Sequence, residues 1–204
     1  MPDTQPAPRL PPALRGIYRV AQWGFVVHDL EAAMLHWAEV FGVGPWVHVE
    51  QVTRGYRFTH RGVPTDPDLR VAFAYFGDTQ IELIQQLNDA PTPYREFLAA
   101  GREGMQHLAM WAEDYDTAVA GVRAAGYEPV YEFVSDSGGR PTAYYSAPES
   151  FGVMLELGEA APGRMATYAL IRAMAERWDG TTPVRRYRTM AEFIAEQTNS
   201  SQGV

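Results

Sequence analysis

Two kinds of hydrophobic spacing succeed one another along this chain, the short period of a strand and the longer one of a helix. Tyr18–Val27, rich in β-branched and aromatic residues, predicts a strand. Asp29 then offers an N-cap, and Leu30, Met34, Trp37 and Phe41 fall on one apolar stripe, which predicts a helix over Leu30–Phe41. Gly42 and the Gly44-Pro45 pair stop it. Trp46–Val52, Leu69–Phe76 and Thr79–Leu87 read as strands, with Gly77-Asp78 as a turn and Arg54–Asp68 as a long loop.

The same succession then begins again. Gln106–Ala112 reads as a strand and Asp114 as a cap. Tyr115–Ala125 reads as a helix carrying Tyr115, Val119 and Val122 on its stripe, ended by Gly126. Strands follow at Tyr127–Val134, Thr142–Ser146 and Gly152–Gly158. Gln22 precedes Asp29 by the same interval that separates His107 from Asp114, and Ile81-Glu82-Leu83 matches Leu155-Glu156-Leu157. So many matches in one order indicate an internal duplication of a β-α-β-β-β unit. The chain divides into a proline-rich arm (1–16), a first module (17–90), a second module (91–160) and a C-terminal helical extension (161–204). In the extension Tyr168, Ile171, Met174 and Trp178 lie at helical spacing, and Thr189-Met190-Ala191-Glu192 forms a capping box. This is an α+β chain of paired βαβββ modules.

Composition narrows the chemistry. The 204 residues carry a formal net charge of −8, 46% hydrophobic and 21% charged residues, and no cysteine. That is globular composition. The acidic balance argues against a nucleic-acid partner, which needs a dense basic face. No stretch has the roughly 20 apolar residues of a membrane span, and the arm lacks the apolar core of a signal peptide, so the expected location is the cytoplasm. Without cysteine, any metal site must be built from nitrogen and oxygen donors.

The duplication singles out four residues. Gln22 and His107 are polar positions among apolar neighbours in the first strand of each module, and Glu82 and Glu156 interrupt the last. A carboxylate in an apolar strand is costly to bury unless something pairs with it, and neither strand contains a cation. If pseudo-twofold symmetry gathers the four around one point, they suit a divalent cation. The alternative is that the two glutamates face solvent while the neighbouring leucines and isoleucines face the core. Gly24 and Ala109, two residues beyond Gln22 and His107, leave room above such a site. His28, His36, His48 and His60 have no repeat partner and read as surface or loop residues. Trp46, Tyr56, Phe73, Tyr75 and Tyr144 are candidate pocket or core aromatics. Arg54, Arg57 and Arg61 make a basic cluster, either a solvated loop or a clamp for an anionic tail. Asn199-Ser200-Ser201 matches a glycosylation sequon, taken as accidental without a secretion signal.

Three stretches carry a resemblance to a known family. They are Gln22-Trp-Gly-Phe-Val-Val-His-Asp-Leu-Glu-Ala-Ala-Met with its Phe-Gly-Val-Gly-Pro ending, Thr79-Gln-Ile-Glu-Leu-Ile-Gln, and Glu103-Gly-Met-Gln-His-Leu-Ala-Met-Trp. Over residues 17–159 the chain resembles the vicinal oxygen chelate superfamily of glyoxalases, bleomycin-resistance proteins and extradiol dioxygenases. The resemblance implies paired βαβββ modules curled around a divalent metal held by Gln22, Glu82, His107 and Glu156, with Glu156 also the proton-transferring base. Zinc, nickel, cobalt, manganese and magnesium all tolerate such ligands. It further implies a homodimer and a small-molecule substrate, a carbon acid beside a carbonyl, turned over through a metal-stabilised enediolate by an isomerase, epimerase or lyase.

The sequence departs from the family's better-defined members in three places. Val26 and Val27 stand where glyoxalase I proteins place a cation for glutathione. Leu69–Phe76 lacks the second acid of the methylmalonyl-CoA epimerases, which the chain also resembles across Pro93–His107. Gln22 occupies the place of an extradiol dioxygenase's first histidine, which disfavours ring cleavage. The competing readings are a metal-free module that sequesters a small apolar molecule and, last, a non-heme iron dioxygenase.

Overall fold

A computed structural model describes residues 20–146 and 152–200; the proline-rich arm and the last residue of the sequon lie outside them. The first module runs β1 (Gln22–Val26), α1 (Leu30–Phe41), β2 (Trp46–Val49), β3 (Tyr56–His60), β4 (Val63–Thr65), β5 (Leu69–Phe76) and β6 (Thr79–Gln86). After α2 (Pro93–Ala99) the second module runs β7 (Gly104–Ala112), α3 (Tyr115–Ala124), β8 (Glu128–Ser135), β9 (Thr142–Ser146) and β10 (Met154–Glu159). The chain then forms α4 (Pro162–Glu176), β11 (Val184–Tyr187) and α5 (Met190–Ser200). The helix expected over Leu30–Phe41 forms with those limits. Asp29 caps it by accepting from the Ala32 amide at 2.9 Å, and Gly42 closes it in the left-handed conformation. Asp29→Ala is expected to cost about 1 kcal/mol in a denaturant titration, the usual worth of an N-cap.

All the described strands join in one sheet, ordered β11-β2-β5-β6-β1-β7-β10-β9-β8-β3-β4. At its centre β1 and β7 run antiparallel, with Trp23 opposite Leu108. Each is flanked by the last strand of its own module in parallel, β6 beside β1 and β10 beside β7. Gln22 pairs with Gln80 and Gly24 with Glu82; His107 pairs with Met154 and Ala109 with Glu156. The registers are therefore related by a pseudo-twofold axis near the Trp23–Leu108 pair.

Chain connectivity forces the sheet to curl. In a flat sheet β4 and β5, eight strand positions apart, would be separated by about 38 Å at 4.8 Å per strand. Only residues 66–68 join them, and that link spans at most about 14 Å. The sheet is thus a deep cup. Helices α1 and α3 cover its outer face: Leu30 and Met34 pack with Ile81 and Leu83, and Ala118 and Val122 with Leu155 and Leu157. The inner face holds the largest core cluster, including Val47, Val71, Phe73, Tyr131 and Tyr144.

Helix α4 packs into that inner cluster through Ile171 and Met174, while Tyr168 lies against Phe73 and Trp111. The C-terminal extension thus covers its own sheet, and it includes a strand: β11 adds to β2 in parallel. Its four residues contain two arginines, too short and too charged for hydrophobic alternation to reveal. The region 54–68 also corrects the sequence reading. It is a hairpin whose Arg61-Gly62 turn has positive φ at both positions, and β3 docks across the cup onto β8. Glycines and Pro64 give the stretch the composition of a loop, but Phe58 and His60 alternate inward in β3. Pro64 sits in β4, the final strand, where a missing N–H breaks no further ladder. Helix α2 is a further addition; Thr92 caps it by accepting from Arg95, with Pro93 in its first turn.

Candidate metal centre

Strand alternation assigns the glutamates to the inner face. In β6, Ile81 and Leu83 face α1 and Glu82 faces into the cup; in β10, Leu155 and Leu157 face α3 and Glu156 faces inward. The expectation that they oppose the apolar residues is correct, but the opposite face is not solvent. Glu82 is 9% exposed, Glu156 4% and His107 0%, because the curl and α4 close over them.

Pairing across the strands sets two neighbouring rows on that face. One contains Phe73, Glu82, Gly24, His107 and Met154, and the other Gln80, Gln22, Ala109, Glu156 and Tyr144. The small residues sit beside the pseudo-twofold axis. The His107 ring lies over Gly24: a Cβ built there would be 1.8 Å from His107 Cε1. Glycine is required by close approach, and it lets His107 Nε2 reach Glu82 Oε2 at 3.2 Å and Glu156 Oε2 at 3.1 Å. Donor atoms of Glu82, His107 and Glu156 all lie within 4.8 Å of one another. The three come from both modules of a single chain.

The electrostatics follow from that crowding. Burial alone would lower the His107 imidazole, but Glu156 and then Glu82 favour its proton and push it up to about 9. For Glu82 burial dominates and raises the carboxyl above its ordinary value; its bond to His107 opposes this and the Glu156 charge reinforces it. His107 Nε2 makes its directional hydrogen bond with Glu82, whereas Glu156 Oε2, just as near and also favouring the imidazole proton, is buried without a well-aligned donor. A buried carboxylate oxygen lacking a donor is costly. Two carboxylates and an imidazole around it match the nitrogen and oxygen donors of a divalent cation, so these three residues can hold a metal ion.

Gln22 is buried on the same face in the row of Glu156. Its amide nitrogen donates to Gln80 Oε1 at 2.7 Å, so it stands beside the three-residue cluster with one end already engaged. Around the cluster is a wall of phenols. Tyr144 packs edge-on to His107 with centroids 4.9 Å apart, and Tyr94 and Tyr131 pack on Tyr144. Burial, followed by the Glu156 charge, pushes Tyr131 and Tyr144 well above the ordinary phenol range, so both remain neutral donors. Tyr131 Oη is buried without a hydrogen-bond partner.

A family model described as Glyoxalase/Bleomycin resistance protein/Dioxygenase superfamily matches residues 21–144, more than half of the chain. The chain belongs to this superfamily. Among solved structures, methylmalonyl-CoA epimerase from Mycobacterium tuberculosis matches with a TM-score of 0.52 at 21% identity, over 74% of this chain and 93% of the epimerase. A hypothetical protein from Bacillus halodurans gives 0.50 at 18%, over 70% and 94%. A variant of 4-hydroxymandelate synthase from Streptomyces coelicolor gives 0.47 at 16%, over 71% and 38%. At these identities the first two likenesses are of fold. No curated protein matches the chain. For this superfamily member, the βαβββ pairing and the inward-facing Glu82, His107 and Glu156 are features of one architecture.

Several residues fall differently from their sequence reading. His48 and His60 are buried on β2 and β3 rather than at the surface or in a loop, because β2 is covered on both faces and residues 56–60 form a strand. His28 and His36 are exposed, as expected. The arginine cluster is dispersed: Arg57 pairs with Asp136 at 3.4 Å and Arg61 with Glu96 at 3.0 Å. Trp46 packs under α1 on the outer face, while Phe73 and Tyr144 line the inner one. The sequence reading missed Tyr94, Tyr131, Tyr168 and Gln106. The phenols resemble any other aromatic in a strand or helix, and Gln106 would be assigned to the face opposite His107 by simple alternation.

Proposed function

We propose that this superfamily member is a metal-dependent isomerase- or lyase-type enzyme acting on a small carbon acid beside a carbonyl. Glu82, His107 and Glu156 hold the cation, Gln22 joins them through its carbonyl oxygen, and Glu156 moves the proton. The observation that carries this reading is the buried Glu156 Oε2, 3.1 Å from His107 Nε2 and without a well-aligned donor, within 4.8 Å of the donor atoms of both Glu82 and His107. Such an oxygen suits ligand and base alike. The Gln22 amide nitrogen is committed to Gln80, which leaves its oxygen to offer. A bound divalent cation would acidify a carbon-bound proton beside a carbonyl and offset the negative charge developing on the oxygen. Tyr131 Oη is the neutral donor available to a substrate oxygen, and the Tyr94 and Tyr144 rings packed on Tyr131 exclude water from it.

The reaction class favours one base over two. Opposite Glu82, where a second acid on β5 would stand, the pairing residue is Phe73. The test is solvent deuterium incorporation into 2-hydroxy ketones, thiol adducts of 2-oxoaldehydes and 2-alkyl acyl thioesters, with zinc, nickel, cobalt, manganese or magnesium added. At least one metal should support exchange in the wild type, and Glu156→Gln should slow it by about 100-fold or more, the usual contribution of a positioned base. A Glu156→Gln protein exchanging at the wild-type rate removes Glu156 as base. No incorporation with any metal and substrate class, accompanied by tight binding of one of these compounds, turns the reading to sequestration.

A further inference from the structure

The β1–β7 ladder contains an irregularity on one side of the pseudo-twofold axis. Gly24 pairs with His107 and Phe25 with Met105, so Gln106 is an extra residue in β7 without a partner in β1. On regular alternation Gln106 would face away from His107. Instead it is buried at 2% exposure beside it, with Oε1 2.8 Å from His107 Nδ1. The preceding position in the first module is Ala21, whose amide donates to Ala109 O in the ladder. Only the module whose polar residue is an imidazole carries the bulge and the glutamine.

An imidazole explains the asymmetry. To offer Nε2 to a cation, neutral histidine must carry its proton on Nδ1, and an acceptor at Nδ1 selects that tautomer and fixes the ring plane. A glutamine amide could present either end. Here Nε2 of Gln106 donates to Met154 Sδ at 2.9 Å, and Met154 is the residue paired with His107 across β10. A thioether offers no proton. Turning the amide over would place two acceptors face to face at Met154 and a donor against Nδ1. Met154 therefore fixes which end of Gln106 meets the histidine.

We infer that Gln106 is a positioning residue: extruded by the bulge and oriented by Met154, it holds His107 with Nδ1–H donated to its carbonyl and Nε2 turned toward Glu82 and Glu156. This rests on the metal-binding reading above. Residues in such a supporting role typically contribute about 10–100-fold to metal affinity. Zinc binding by Gln106→Leu, measured by competition with a chromophoric chelator, should be weaker by that factor. Gln106→Glu, which keeps an acceptor at the same reach, should stay within a few-fold of the wild type. Long-range proton–nitrogen spectra of the zinc-loaded wild type should show His107 protonated at Nδ1 and coordinated through Nε2. A Gln106→Leu protein with wild-type zinc affinity overturns the inference and leaves the metal site standing. So does a wild-type spectrum with His107 bound through Nδ1, which needs no variant to fold. A wild type that binds no zinc, nickel, cobalt, manganese or magnesium instead overturns the underlying metal reading, and shows this before any variant is made.

Discussion

His107→Ala and Glu82→Ala are expected to lower the affinity for a divalent cation by more than about 100-fold, beyond the range typical of residues that only support a ligand. Each removes one of three donors gathered within 4.8 Å, and among the described residues no second group of three such donors is found. Elemental analysis of purified protein and isothermal titration with zinc would read the loss, with the exposed His28→Ala as a control that should bind like the wild type. The two variants should differ in the metal-free state. His107→Ala leaves Glu82 and Glu156 facing each other without the imidazole between them, and breaking a buried ionic cluster from one side typically costs about 3–5 kcal/mol. Glu82→Ala relieves the repulsion between the carboxylates, so its metal-free protein should unfold at higher denaturant than His107→Ala. Equal metal affinity in wild type and His107→Ala would end the assignment of the site.

Gly24→Ala is expected to abolish metal binding although no ligand is changed. The added methyl carbon would stand 1.8 Å from His107 Cε1 and 1.9 Å from Nε2, far inside contact distance. The obstacle is a side chain rather than backbone, so the fold can respond by moving the ring. That ring is fully buried between Tyr144, Gln106 and the two carboxylates, and any rotation large enough to admit the methyl carries Nε2 away from them. The stability cost should be about 1–3 kcal/mol, as for overpacking generally, while the metal affinity should fall as far as in His107→Ala. Ala109→Gly, at the pseudo-symmetric position, should leave metal binding within a few-fold of wild type, because alanine is already accommodated there. Zinc titration of both variants alongside denaturant unfolding would separate loss of the site from loss of the fold. A Gly24→Ala protein that binds zinc normally would show that the ring does not need to cross β1.

Much of the first module was legible because local signals agreed. The Asp29 cap, the apolar stripe from Leu30 to Phe41 and Gly42 all act within a few residues of one another, and the helix forms between those limits. The hairpin at 56–65 was not legible for the same reason in reverse. Its strands are stabilised by docking onto β8, some seventy residues along the chain, while its glycines and proline signal turns. Strand β11 likewise owes its pairing to β2 at the far end of the sequence.

The sequence by itself determined the duplication, the α+β class, the nitrogen and oxygen character of any metal site and the equivalence of Glu82 with Glu156. All of these are carried by residue type and interval. It also determined that each glutamate opposes the leucines and isoleucines of its strand, since side chains alternate with a period of two. Whether the face so reached is wet or dry was decided only by the tertiary structure, through a three-residue link that forces the sheet to curl and a C-terminal helix that closes over it. The tertiary structure alone also set His107 over Gly24, engaged Gln22 with Gln80 and turned Gln106 toward His107. Those relations depend on cross-strand register and on one extra residue in a ladder, and neither leaves a mark on the pattern of a single strand.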